Sequence, residues 1–178
     1  MQLERNMRIS HLLIAAVLSV LAATSSSAQS RDPYFATASA NYDFVYHETG
    51  DTSAAGAHFD IASTVKRDVP FVGVMGEIGF NSLDGGTVSS YMGGLRLRFP
   101  NASATVLPFG QFVLGLYHCG ICNVNDFAIQ GGGGLDFKAV PSGAIRIRAQ
   151  VDIRHVFDDV QSFSPVRVSA GVVIPLNR

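Results

Sequence analysis

Ala144–Phe157, AIRIRAQVDIRHVF, is the stretch on which the reading of the whole chain turns. Its odd positions run Ile145, Ile147, Ala149, Val151, Ile153, His155, Phe157, apolar except for one imidazole. Its even positions from Arg146 to Arg154 run Arg146, Arg148, Gln150, Asp152, Arg154, all charged or amide. A period of two is the signature of a β-strand, here with one oily face and one charged face. A tilted strand of about ten residues, at roughly 3.3 Å each, crosses the hydrocarbon of a bilayer. Two kinds of fold use such a strand. A soluble sandwich or barrel turns the oily face inward, whereas a transmembrane barrel turns it toward lipid and fills its lumen with the polar face.

Composition narrows the choice. The 178 residues are 47% hydrophobic and 15% charged, with net charge −1, which gives no electrostatic footprint for nucleic acid. No run after residue 30 approaches the roughly 20 apolar residues of a transmembrane helix. The N-terminal segment has the layout of a secretory signal peptide: Arg5 and Arg8, an apolar run from Leu12 to Ala23, then Ser26-Ser27-Ala28 before Gln29. No Cys follows that run to direct lipoprotein processing. The expected organisation is a signal peptide over 1–28 and one domain over 29–178.

Outward from the opening stretch, alternation places seven further strands. They are Tyr34–Tyr46, Ala57–Val65, Phe71–Phe80, Val88–Phe99, Val106–Tyr117, Phe127–Ala139 and Val166–Leu176. Val106–Tyr117 has large apolar residues on both faces, so its inward face stays open. Connections after the second, fourth and sixth strands are short and carry Pro, while those after the first and fifth are longer. Short turns at one end and longer loops at the other suit an outer-membrane barrel. The expected fold is therefore all-β, an eight-stranded antiparallel up-and-down transmembrane β-barrel. Segments 47–56, 81–87, 118–126 and 158–164 are the expected exterior loops.

The polar faces assemble an inward set with both signs: Asp43, Asp60, Glu77, Arg96, Arg98, Asp136, Lys138, Arg146, Arg148, Asp152, Arg154 and Arg167. An eight-stranded barrel is only wide enough for side chains to fill. Charges there need partners, because an unpaired buried ion costs several kcal/mol. Arginine suits the task, since its planar fork holds carboxylates through two donors. The competing fold is a secreted soluble barrel of the lipocalin kind, which needs an apolar lumen and a wet exterior.

GGGGLDFKAVPSGAIRIRAQVDIRHVFDD (131–159) and FSPVRVSAGVVIPL (163–176) resemble the C-terminal half of small bacterial outer-membrane β-barrels, the broad OmpA/OmpX-like and opacity-protein group. The stretch PFGQFVLG (108–115) is similar to that group's fifth strand. The resemblance implies export to the cell outer membrane, contact with its lipid and lipopolysaccharide, and insertion by the barrel-assembly machinery. One departure is the end, Ile174-Pro175-Leu176-Asn177-Arg178, where the group carries an aromatic. Such barrels serve as anchors, adhesins, small pores and rarely enzymes, so the fold alone does not choose among these.

Candidate chemistry is sparse. Cys119-Gly120-Ile121-Cys122 lacks the βαβ context of a redox motif, and in an oxidising compartment it reads as a small loop disulfide. A metal site would have only His118, Cys119 and Cys122 adjacent. His155 has Phe157 two positions on, not the Ser that lipid-deacylating barrels carry there, and reads as an interface residue. Gly131–Gly134 is followed by no Lys-Ser/Thr and opens no helix, so curvature or close approach explains it better than a phosphate loop. His47, Glu48 and Asp51 read as a solvated loop cluster. The expectation is a non-enzymatic barrel without cofactor, metal or nucleic-acid partner, with a structural or surface-interaction role. A small porin-like channel is the second version.

Overall fold

In a computed structural model, the described residues are 36–46, 53–66, 69–83, 86–99, 105–120, 123–141, 144–158 and 162–176. The segment read as a signal peptide, the His47/Glu48/Asp51 cluster and Cys122 lie outside them. Eight strands are present: β1 Ala36–Tyr46, β2 Ser53–Lys66, β3 Val69–Leu83, β4 Gly86–Arg98, β5 Val106–Cys119, β6 Val124–Lys138, β7 Arg146–Phe157 and β8 Val166–Pro175. Each pairs antiparallel with its sequence neighbours, and β8 pairs with β1 to close the barrel.

The register gives the strand tilt. Ala36 pairs with Ser63, then Val74, Leu95, Phe112, Gly131, Ile153 and Val166, and Val166 pairs with Tyr46. One circuit thus returns to β1 ten residues along, from Ala36 to Tyr46. With strands about 4.8 Å apart and about 3.3 Å per residue, that offset tilts them about 40° from the barrel axis. Ten tilted residues then rise about 25 Å, the height of an outer-membrane apolar band.

Burial runs opposite to that of a soluble protein. Along β7 the pattern alternates strictly from Arg146 to Val156, with Arg148 fully buried beside exposed Ile147. Ile61 is 61% exposed and Leu116 53%, while Asp43, Arg148 and Asp152 are at 0%. Soluble monomers rarely expose apolar patches beyond a few hundred Å². Here Phe, Tyr, Leu, Ile and Val are exposed on every strand, with aromatic neighbours such as Tyr42–Phe44 and Phe127–Phe157 near the β1–β2 end. Such a wall needs lipid around it. The lipocalin-like alternative, which needs the reverse arrangement, is excluded by this burial.

Several sequence boundaries are corrected. Lys66 pairs with Val69 and Leu83 with Gly86, so β2–β3 and β3–β4 are joined by two-residue hairpins, 67–68 and 84–85. Within the expected loops, residues 53–56, 81–83, 86–87, 118–119 and 124–126 are strand; polar residues belong to strands that extend past the apolar band. Asn123, at φ 52°, helps close the tight β5–β6 turn, a conformation Asn accepts more readily than most residues. The end of the β7–β8 connection turns back, where Phe163 bridges Val156 and packs on Tyr117 with ring centroids 5.9 Å apart. The connections at one end are 67–68, 99–105 and 139–145; those at the other are 47–52, 84–85, 120–123 and 158–165. The expected contrast between short and long ends is absent.

Candidate functional site in the barrel lumen

The inward faces meet in a layered network along the bore. Near the end shared by β1's start and β8's finish, Asp60 is a hub. Its Oδ1 accepts from Arg96 Nη1 at 2.7 Å, and its Oδ2 accepts from Arg148 Nη1 at 2.8 Å and from the Ser39 hydroxyl. Arg148 also grips Asp136 through Nε at 2.7 Å and Nη2 at 2.9 Å, the two-pronged geometry that makes such pairs strong. Arg98 donates to Thr37 Oγ1 at 2.6 Å, and Arg146 to the Asp136 backbone carbonyl at 3.3 Å. Phe109 fills the space between, with the Arg96 and Arg148 guanidinium carbons 4.9 and 4.5 Å from its ring centre.

Toward the other mouth the hub is a cation. Arg167 donates to both Glu77 oxygens at 2.7 and 2.9 Å, and to Asp152 Oδ2 through Nη2 at 2.7 Å. Asp43 Oδ2 lies 3.8 Å from Arg167 Nη1, while Asp43 Oδ1 is 2.7 Å from His58 Nδ1. Arg154 bonds Gln130 Oε1 at 2.9 Å, stands 3.5 Å from Glu77 and lies over the Tyr117 ring.

One amide joins the halves. Gln111 Oε1 accepts from Arg96 Nη2 at 2.8 Å, and Gln111 Nε2 donates to Asp152 Oδ1 at 3.1 Å. Gln111 and Asp152 both pair with Gly132, on β5 and β7 respectively, so the bond passes over a residue with no side chain. A Cβ on Gly132 would run into Asp152 Oδ1 and the Val151 carbonyl. The glycine run thus has a task in the lumen: it admits the bridge.

Of the twelve charges expected to face inward, eleven are buried and meet in this network or at its rim; Lys138 is exposed. Lys138 has inward parity but ends β6, beyond the depth at which the bore closes. Residue parity fixes a side chain's face and leaves its depth open. Sequence reading missed the neutral partners Gln111, Gln130, Gln150, Ser39 and Thr37 as members, and also His58. Their shared parity with the charges was the available signal. It also missed an apolar side to the bore, where Met75, Met92, Val113, Ala128 and Val156 cluster with Phe163. Cys119 ends β5 and is disulfide-bonded. His155 is half-buried on the outer face, bonded to Ser164 at 2.8 Å and edge-on to Phe157. Among the described residues no group of three His, Cys, Asp or Glu is placed to hold a metal.

A closed barrel with ions inside and hydrocarbon outside defines a small transmembrane β-barrel. Its fold is that of the OmpA/OmpX-like outer-membrane barrels. Neisserial surface protein A is similar over 82% of this chain and 98% of its own, with TM-score 0.61 and 11% identity. The N-terminal β-barrel domain of Pseudomonas aeruginosa OprF is similar over 78% of this chain and 97% of its own, with TM-score 0.51 and 11% identity. A de novo designed transmembrane β-barrel is similar over 78% and 93%, with TM-score 0.50 and 10% identity. At these identities the likeness is one of fold. No protein-family model and no curated protein matches the sequence.

Proposed function

We propose that this protein is a non-enzymatic outer-membrane barrel with a structural and surface-interaction role, exported by a signal peptide over 1–28. Its bore does not conduct. The observation that carries the reading is the Asp60–Arg96–Gln111–Asp152–Arg167–Glu77 chain of bonds across the lumen. Ions passing through would have to displace paired charges whose separation costs several kcal/mol. Beside that chain, the apolar cluster of Val88, Val113, Tyr117 and Val156 fills one side of the bore. Both features speak against the small-channel version.

In this reading the wall meets lipid and lipopolysaccharide, the barrel-assembly machinery inserts the chain, and the end holding Ala36 and Leu176 faces the periplasm. Contacts outside are made by short connections, since none is long enough to form an independent binding lobe. Cys119 and Cys122 pair to stiffen the β5–β6 turn. The test combines membrane fractionation with planar-bilayer recording of the refolded protein. The expected result is outer-membrane residence with no discrete conductance steps. Recovery in the periplasmic soluble fraction, or regular single-channel steps, contradicts it.

A further inference from the structure

Four strands meet one rim of the barrel with a cation. Lys66 closes β2, Arg98 closes β4, Lys138 closes β6 and Arg146 opens β7. One circuit climbs ten residues over eight strands, so depths can be compared around the wall. On that scale the four cations lie within about two residues of the level of Ala36, or about 5 Å. They form a collar at one depth.

The collar carries an excess of positive charge. The lumen carboxylates closest to its level, Asp60 and Asp136, are committed to Arg96 and Arg148. In sequence, the adjoining segments 67–68 and 29–35 add Arg67 with Asp68 and Arg31 with Asp32, which cancel. The excess therefore holds whichever cation each carboxylate meets. At the opposite end the sign is reversed: segments 47–52, 84–85, 124–126 and 158–165 hold six carboxylates and no Lys or Arg.

We propose that this collar gathers anionic phospholipids around the barrel, with headgroup phosphates at the strand-end cations and acyl chains along the outer wall. Depth carries the assignment. Exposed Leu97, Phe137 and Ile145 immediately precede Arg98, Lys138 and Arg146, so positive charge begins where the apolar wall stops. That is the level of lipid phosphates. Lys138 is exposed, and its long stem can carry the ammonium to them. Arg98 and Arg146 are buried and act through their charge at the mouth of the bore. The proposal rests on the reading of the wall as lipid-facing.

The test places the refolded protein in phosphatidylcholine vesicles containing spin-labelled lipid. Electron paramagnetic resonance then measures the share of label held at the wall. At low salt, labelled phosphatidylglycerol is expected to be enriched about threefold over labelled phosphatidylcholine, with the preference fading as salt rises. The double variant Lys66→Gln with Lys138→Gln should bring the two labels close to parity. If that variant does not fold, Lys138→Gln alone serves, with a partial drop expected. The heat shift of the same samples on gels reports the barrel separately. A folded barrel with no lipid preference therefore overturns this proposal and leaves the outer-membrane reading standing. An unchanged preference in the folded variants overturns it as well. So does salt-sensitive co-sedimentation with peptidoglycan in the absence of any lipid preference.

Discussion

The two halves of the bore solve the same problem with opposite hubs. Toward the end where β1 starts, a carboxylate, Asp60, gathers two guanidinium groups, and the surplus positive charge is spread over Asp136 and the face of Phe109. Toward the other mouth a guanidinium, Arg167, gathers Glu77 and Asp152 and lies near Asp43. Loss of the anionic hub leaves Arg148 with Asp136 and Arg96 with the Gln111 amide, both against the Phe109 ring. Loss of the cationic hub leaves Glu77 with Arg154 only at 3.5 Å and Asp152 with the neutral amides of Gln111 and Gln150, so no two-pronged cation remains. The halves should therefore differ in how they tolerate damage, although both are fully buried.

The largest effect is expected for Arg167→Met, which keeps bulk and removes the charge. It should cost about 3–5 kcal/mol, because Glu77 and Asp152 stay buried without their main partner. The folded fraction followed across a urea series on unheated gels measures it. Asp60→Asn should cost less, about 1.5–3 kcal/mol, since Arg148 keeps its two-pronged grip on Asp136. If Asp60→Asn proves the more damaging of the two, the hub asymmetry is wrong.

The bridge between halves is tested by Gly132→Ala. The added methyl collides with Asp152 and should cost about 1–3 kcal/mol in the same urea series. Its effect should be non-additive with Gln111→Leu, because both remove one contact. The smallest effect is expected for Phe109→Leu, about 1 kcal/mol, from loss of the ring beneath Arg96 and Arg148.

How much of this was legible in the sequence follows from which signals parity carries. AIRIRAQVDIRHVF yielded β7's faces because its two residue series differ sharply in polarity, and the structure keeps that alternation. β5 resisted for a physical reason. Phe109, Val113 and Tyr117 face inward while Phe112, Leu114 and Leu116 face lipid, so polarity does not tell its faces apart. Gln111 was the one clue to its lumen side, and it proves to be the bridge. Strand ends were misjudged because residues such as Ser53 and Asn125 are polar for reasons of depth, lying past the hydrocarbon yet still within the ladder. Pairings across the bore, such as Arg167 with Glu77 on β3, depend on register accumulated around the whole barrel, which no local pattern encodes.

The most direct test of the central claim, a closed barrel with its ions inside and its oil outside, is gel mobility of the membrane fraction in SDS with and without boiling. A closed, detergent-resistant barrel migrates faster unheated and shifts to its full apparent mass on boiling, and that is the result expected. A protein recovered soluble without detergent, with one mobility under both conditions, would contradict the account.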